Sequence, residues 1–490
     1  MKKNLTLFLV LVFTTGLFAT GQSDSVVKGQ DLSLQKAKYM FLFIGDGMAM
    51  PQITATEAYL SANRASAPGV EKLAFTQFPA QGLTTTYDAG SFITDSASAG
   101  TAIATGSKTL SGVINMDETR TKELKTIAEY AKESGRKVGI ISSVNLDHAT
   151  PACFYAKEES RNNYFNINMQ LAHSNFDYFA GGMVRVDKTP EGQKSAHDLM
   201  QDNGWLMASN RDELNALVPS DKQVYAYYNS SFTRNSLDYA IDMEPEDISL
   251  AEYTAKGIEL LSANEEGFFM MVEGGKIDWA CHANDAAASI HNTIAFDNAV
   301  KEAIKFYQAH PEETVIIVTG DHETGGLTLG FAGTKYDSAF AEIDKQLMSY
   351  EAFDHYILTP YKESHKEGGE LADILPEIEK NFGLSDLTDY ELEMLVSAFY
   401  RSMGSEVNES SKTQDYLLYG GYEPLTMTIT HLLNQRAGLA WTSYSHTGVP
   451  VQTFALGAGE ELFNGYYDNT DIFKKMYQLL FPEITVALAQ

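Results

Sequence analysis

The chain has 490 residues, 44% hydrophobic and 21% charged, which is the composition of an ordinary globular protein. Against 36 basic side chains stand 65 acidic ones, a formal charge of −29, which excludes nucleic-acid backbone binding as the primary task. A site for an anionic ligand therefore needs local positive charge against the global field, and metal ions are the simplest source of it.

The first residues read as an export signal rather than as fold. Met1-Lys2-Lys3 supplies a positive start, Leu5 to Phe18 an apolar run, and Ala19-Thr20-Gly21 a small-x-small cleavage pattern. This predicts a signal peptide over 1–21 and an N-terminal tail over 22–36, with the mature protein periplasmic or extracellular. The apolar run is short for a membrane anchor, and no cysteine follows it for lipid attachment. No later stretch is long and apolar enough to span a bilayer, so no membrane partner is expected after cleavage.

Five runs then read as strands: Tyr39–Ile44, Val138–Ser142, Phe268–Val272, Thr314–Thr319 and Val451–Leu456. They are rich in Val, Ile and Phe without polar alternation, as expected of strands covered on both faces. Helical patterns lie between them at Thr121–Glu133, Leu250–Ala263 and Ala286–His310. The alternation predicts a three-layer α/β/α sandwich around a mostly parallel sheet. From about Lys335 to Thr442 the pattern breaks into a mainly helical segment, with a capping-box signal at Thr388 and Glu391. The predicted division is a catalytic core over 37–334 and 443–490, interrupted by a helical insertion or cap over 335–442.

Four strands end in polar punctuation: Gly45-Asp46-Gly47, Asn145-Leu146-Asp147-His148, Glu273-Gly274-Gly275 and Gly320-Asp321-His322. Ligands of open α/β sheets bind outside the carboxyl ends of strands. One such ending means little, but four deliver a carboxylate or imidazole to the same edge. Asp278 and His282 are four apart, so one helical turn puts both on one face, and Asp/His donors suit zinc. Glu273 at a strand end suits a harder ion such as magnesium. Asp321 and His322, adjacent in a glycine-rich turn, can address one ion; an Asx-type turn alone would not call for the histidine. In Thr94-Asp95-Ser96-Ala97, the serine suits a helix N-terminus, where amide dipoles favour a phosphate or a developing alkoxide. The plain alternative there is an Asp or Ser N-cap. Ser96 has no G-x-S-x-G frame and no evident histidine partner, so it needs another activator, such as a metal. Thr150 follows His148, and Arg161 lies eleven residues beyond Thr150 with a fork that matches two phosphate oxygens. Alone, Arg161 reads as a surface charge, and His446, just before the last apolar strand, is uninformative. His291 and His431 fall within helical patterns and read as packed or surface histidines. Cys153 and Cys281 leave both a single bridge and two buried thiols open, with thiols favoured by their position inside motif segments.

Taken in order, these segments resemble the alkaline phosphatases: Asp46 after a strand, Thr-Asp-Ser-Ala at 94–97, Ala-Thr-Pro at 149–151 with Arg161 downstream, Glu273…Asp278…His282, Asp321-His322 and His446-Thr-Gly. The likeness runs from about residue 38 to 457. It implies hydrolysis of small-molecule phosphate monoesters through a phosphoserine at Ser96, with two Zn2+ and one Mg2+ per chain. One zinc is then held by Asp278, His282 and His446, and the second by Asp46, Asp321, His322 and the Ser96 oxygen. Magnesium sits with Asp46, Thr150 and Glu273, while Arg161 clamps the phosphate. Two metals ~4 Å apart can stabilise both the attacking and the leaving oxygen of an in-line displacement. Members of the family are commonly dimers, so a homodimer is expected by analogy.

Two positions depart from the best-known enteric bacterial branch. His148 stands where that branch has an aspartate, resembling the animal enzymes, and Trp279 where it has a lysine, resembling certain other bacterial members. A neutral His148 organises magnesium waters less well than a carboxylate, and Trp279 brings no cation to the phosphate; with Asp95, these form the expected surround of the ligands. Two alternatives are a phosphodiesterase of the same metal-dependent superfamily and a non-catalytic metal- or phosphate-binding protein. The sulfatases are disfavoured because Ser96-Ala-Ser-Ala-Gly lacks their C/S-x-P-x-R context.

Overall fold

A computed structural model describes residues 36–62, 70–228, 230, 232–404 and 412–483. The signal peptide expected over 1–21, and all of the expected tail but Lys36, lie outside the described residues. Ten strands make one large sheet: β1 (Tyr39–Gly45), β2 (Ala80–Thr85), β3 (Lys137–Asn145), β4 (Tyr178–Gly182), β5 (Leu206–Ala208), β6 (Val224–Tyr228), β7 (Phe268–Glu273), β8 (Thr314–Gly320), β9 (Val451–Gly457) and β10 (Gly465–Asp468). Across the sheet they run β10-β2-β9-β8-β1-β7-β3-β4-β6-β5. Every neighbouring pair is parallel except those made by β9, which runs against both β2 and β8. The central strands β1, β7 and β8 are buried along their whole length. Their unbroken apolar runs follow from cover on both faces.

That cover comes from two helical layers. Leu250–Leu261 packs on Ala286–Ala309, which also contacts Met50–Ala62 and Lys276–His282. The other layer joins Ser96–Thr105, Ile127–Glu133 and Asn469–Leu480. The architecture is therefore the expected three-layer α/β/α sandwich. Phe41, Phe43, Phe268, Phe296 and Phe306 interlock by edge and stacked ring contacts between β1, β7 and the longest helix.

One expected helix begins later than its pattern. The segment predicted from Thr121 becomes helical only at Ile127. Asp117 Oδ1 accepts from the Thr121 and Lys122 amides at 2.9 and 3.1 Å, holding them in a turn. Thr126 and Glu129 then form a capping box that starts the helix. Five strands escaped the apolar-run reading, and β4 shows why. Its YFAGG sequence carries Gly181 at φ +115°, where a Cβ would lie 1.8 Å from the Ser142 carbonyl oxygen. Close backbone approach, not side-chain packing, dictated that residue.

Between β8 and β9 the described chain is largely helical, including Leu371–Phe382, Asp389–Ser402 and Pro424–Ala437. Thr388 and Glu391 make the capping box read from the sequence. These helices share an apolar core built from Phe353, Ile378, Phe399, Leu425 and Leu433, which also takes in Tyr59 and Ile290 from the sandwich. No helix among the described residues is long and apolar enough to cross a membrane. Cys153 and Cys281 are both buried and free, so no bridge joins them.

Candidate active site and metal centre

The sheet topology brings the chemistry to one edge. Asp46, Glu273 and Asp321 sit at or just past the ends of β1, β7 and β8, which run side by side. The reversed direction of β9 places its beginning at that same edge, so His446, which precedes it, arrives there too. A two-residue ribbon pairs His446 with Thr324, fixing the histidine beside the segment that follows β8. Gly47, at φ +71°, makes the turn after Asp46. A Cβ there would lie 2.8 Å from the Asp278 Cα, so only glycine lets the two carboxylate segments approach.

Ser96 is the first residue of the helix Ser96–Thr105, every residue of which is buried. Asp95 caps it by accepting from the Ser98 amide at 3.0 Å. Gly100 faces Cys153, where an added Cβ would come within 2.9 Å of the sulfur, so the helix lies tight against the turn carrying Thr150. Cys153 donates to the Ala97 carbonyl at 3.2 Å, a packing role for that thiol.

Three histidines point the same nitrogen inward. His282 Nδ1 donates to the Tyr444 carbonyl at 2.7 Å, and His446 Nδ1 donates to the Thr94 carbonyl at 2.9 Å. Thr324 Oγ1 donates its one hydrogen to Asp278 Oδ1 at 2.5 Å and therefore accepts from His322 Nδ1 at 3.2 Å. Each Nε2 is left with its lone pair turned inward, and that of His322 accepts from Ser96, the histidine partner the sequence did not show. Those of His282 and His446 face one another at 3.2 Å, beside Asp278 at 3.4 and 3.7 Å. His322 Nε2 lies 3.3 Å from Ser96 Oγ, 3.2 Å from Asp321 Oδ2 and 3.5 Å from Asp46 Oδ1. Thr150 Oγ1 donates to Asp46 Oδ2 at 3.2 Å, and Ser142 donates to Glu273 Oε2. Asp46 Oδ1, Asp321 Oδ2, Glu273 Oε1 and His148 Nδ1 are buried without a hydrogen-bond partner.

This donor set fits divalent cations. Lone pairs face lone pairs, and four carboxylates at no more than 3% exposure share one small volume. Burying a charge without a partner costs several kcal/mol, and a cation removes that cost. Ligand atoms of Asp46, Asp321 and His322, of Asp278, His322 and His446, and of Asp46, His148 and Glu273 each lie within 4.8 Å of one another. Without cations the groups respond by shifting their protons. Burial, reinforced by neighbouring carboxylates, raises Asp46 and Asp321 well above the carboxylate range, and burial lifts Glu273 to about 7. For Asp278, burial is outweighed by the charges of His282 and His446, and its pKa falls well below the usual value. His282 resists burial and rises to about 9 on the charge of Asp278.

Arg161 sits beside the cluster. Its Nη1 donates to Asp95 Oδ2 at 2.9 Å and its Nη2 to His148 Nε2 at 3.0 Å. Because the guanidinium can only donate, His148 carries its proton on Nδ1, which points toward Glu273 Oε1 at 4.0 Å. Burial, with the Arg161 charge, keeps that ring neutral. Trp279 packs edge-on against His148 with ring centres 6.0 Å apart, and the buried Lys276 ammonium lies 4.8 Å from its ring centre. Asp95 is thus both the plain helix cap and the carboxylate that orients Arg161. Burial opposes its ionisation, but the Arg161 charge and the Ser98 amide hold it at about 2.

The residues singled out in the sequence, from Asp46 to His446, lie in this one network. His291 stays outside it, packed 3.4 Å from the Tyr59 hydroxyl. Sequence reasoning missed Ser142 and Thr324, hydroxyls that orient Glu273, Asp278 and His322 within the cluster. The only trace of Ser142 was a polar residue inside an apolar strand.

The family model for alkaline phosphatase matches residues 37–481. Alkaline phosphatase 4 of Bacillus subtilis is 30% identical over 490 residues, covering 98% of this chain and 96% of that relative. The crystal structure of a cold-active alkaline phosphatase from a psychrophilic Shewanella superposes with a TM-score of 0.75 at 28% identity, covering 90% of this chain and 99% of that one. The Thermus thermophilus alkaline phosphatase shares the fold at a TM-score of 0.75 and 24% identity, over 91% of this chain and 92% of that one.

Proposed function

The chain belongs to the alkaline phosphatase family and is a metal-dependent phosphomonoesterase, and on that premise we propose that Ser96 is the group that accepts the phosphoryl. The observation that carries the reading is the convergence of three Nε2 lone pairs and four buried carboxylates beside a serine at a helix N-terminus. We assign Asp278, His282 and His446 to one Zn2+, and Asp46, Asp321, His322 and the Ser96 oxygen to a second. Mg2+ would fall to Asp46, Glu273 and Thr150, with the protonated His148 Nδ1 turned toward the Glu273 carboxylate rather than ligating.

Charge supports three ions rather than two. Asp46, Glu273, Asp278 and Asp321 bring four negative charges, and Asp95 balances Arg161. Two dications only neutralise that set. A third leaves a double positive charge while Ser96 is a neutral hydroxyl, which matches an incoming monoester dianion and overmatches a diester monoanion.

Bound divalent cations supply charge neutralisation and ease the ionisation of a hydroxyl. The chain's own residues do the rest by position. The helix N-terminus and Arg161 hold the non-bridging oxygens, the guanidinium fork being pre-set by Asp95 and His148. Ser96 Oγ attacks phosphorus in line, a serine P–O bond forms, and the ester P–O bond breaks to release the alcohol. A water entering from the vacated side then breaks the serine ester, giving inorganic phosphate and restoring the hydroxyl. Positioning and charge dominate such transfers, so no separate protein base is needed.

Acid quenching during turnover of a phosphate-labelled monoester tests the assignment. The label is expected on the peptide holding Ser96, and turnover of the methyl diester is expected to be far slower. Label on another residue would overturn the reading.

Trp279 offers an apolar edge where a cation would tighten phosphate. Trp279→Lys is expected to strengthen inhibition by inorganic phosphate about tenfold, the effect of one added charge contact at a partly buried anion site. An unchanged inhibition constant would dismiss this role of Trp279.

Three broader assignments complete the proposal. The core comprises 37–334 and 443–490, with 335–442 as an insertion. Export to the periplasm or the medium rests on the 1–21 pattern, and homodimerisation on the habit of the family.

A further inference from the structure

We infer that Asn284 is a positioning residue that sets the spacing of His282 and His446, and that the insertion helix Pro424–Ala437 holds it in place. This rests on the proposed assignment of those two histidines to one metal ion. Asn284 follows the helix Lys276–His282 at φ +49°, a left-handed conformation that asparagine tolerates better than most residues. It is 2% exposed, and each polar atom of its side chain is engaged. Nδ2 donates to the Cys281 carbonyl at 3.0 Å and to the Ser443 carbonyl at 2.9 Å. Two carbonyls fix the amide's orientation, so Oδ1 must be the atom that accepts from His431 Nε2 at 3.1 Å. The main-chain oxygen of Asn284 accepts from Asn434 Nδ2 at 2.7 Å.

These bonds tie together three pieces of chain. Cys281 and His282 end one helix. Ser443 begins the strap that carries Tyr444, whose carbonyl orients His282, and then His446. His431 and Asn434 lie one turn apart on the insertion helix. Burial alone pushes His431 down to about 4, so at neutral pH it is an uncharged donor whose proton stays on Nε2. Tyr444 is anchored to the same subdomain, its hydroxyl donating to the Leu418 carbonyl at 2.5 Å and its ring lying against Tyr422 and His431. The Nε2 to Nε2 gap of 3.2 Å is therefore framed by the insertion, which acts through Asn284 and Tyr444. A packed histidine on a helix thus governs the site at one remove.

The readout is zinc release, not turnover. The full chain is loaded with zinc, and its transfer to excess chelator is followed in wild type, His431→Ala, Asn434→Ala and His431→Gln, with metal content and melting temperature measured alongside. Losing an orienting partner beyond the ligands costs about 10- to 100-fold in metal affinity. About tenfold faster release of one ion is therefore expected in both alanine variants. His431→Gln, which keeps an N–H donor, is expected to stay near wild type. Unchanged release in both alanine variants overturns the inference. So does release from His431→Gln as fast as from His431→Ala, because packing rather than the hydrogen bond would then matter. If His431→Ala does not fold, Asn284→Gly preserves the left-handed backbone, deletes the amide and reads the same rate. His446→Ala separates the two levels: if it binds as many ions as wild type, the ligand assignment itself fails, whatever the latch does.

Discussion

Ser96→Ala is expected to lower kcat on a phosphate monoester by on the order of 10³-fold or more, about 4 kcal/mol of barrier, while fold and metal content persist. The separation of effects follows from where the serine sits. Alanine is the best helix former, and Asp95, not Ser96, makes the cap bond to the Ser98 amide. Ser96 Oγ hydrogen-bonds His322 Nε2 at 3.3 Å, and that nitrogen is also directed at Asp46 and Asp321. Deleting the hydroxyl therefore removes one neighbour of a metal site and leaves the histidine and both carboxylates in place. The melting temperature should stay within about 2 °C, since no core contact or cap is lost. The phosphorylated peptide should vanish with the rate. Residual turnover would report direct attack by water on a phosphate still held by Arg161 and the helix N-terminus. A variant that keeps kcat within tenfold of wild type, folded and metal-loaded, would show that phosphoryl transfer does not pass through this serine.

The sequence disclosed the centre of the sheet and the edge that bears the chemistry. Strands buried on both faces have to be apolar throughout, so β1, β7 and β8 stand out, and the polar residues at their ends could not belong to the core. The outer strands were not legible for the converse reason. β2 reads AQGLTT, half polar beside a partly open edge, and β4 gains its place from two glycines rather than from apolar bulk. The reversal of β9 was also invisible, because direction is a property of the connection and not of the strand. Yet it is what makes His446 arrive at the site from the N-terminal end of a strand. The proposed ligands could be named because Asp and His stand among glycines at the ends of apolar strands, where the core has no use for them. The groups that aim them could not. Thr324, Ser142 and Asn284 look like any small polar residue, and the Tyr444 carbonyl has no side-chain signature at all. Their roles appear only once Nδ1 of each histidine is followed to its partner. His431 read as an ordinary helical histidine, and it is half-buried and neutral, but its side chain hydrogen-bonds the residue that joins the two proposed ligands His282 and His446.

Stripping the metal should cost stability as well as activity, and the stability loss should grow as pH rises from 7 to 9. A cation present at about 1,000 times its dissociation constant adds ~4 kcal/mol to the folded state, so losing the set should lower the melting temperature by roughly 10 °C for a chain of this length. The pH dependence follows from what replaces the cations. Burial and mutual charge leave Asp46 and Asp321 with raised pKa values in the metal-free protein, so the folded state binds protons that the unfolded chain has already released. His282 acts in the same direction, its folded value of about 9 lying above the ordinary imidazole range because of Asp278. Groups raised on folding contribute stability at low pH and lose it as pH climbs through the folded value. Asp278, shifted down, contributes throughout this window, since its loss comes only in acid. The lowered imidazoles of His322 and His446 are neutral in both states above pH about 7 and fall silent. Metal-loaded protein has no such protons to lose. The gap between loaded and stripped melting temperatures should therefore widen steadily from pH 7 to 9, measured at one ionic strength. A gap that narrows, or a chelated sample that keeps both its melting temperature and its turnover, would mean that the buried carboxylates are compensated by something other than cations.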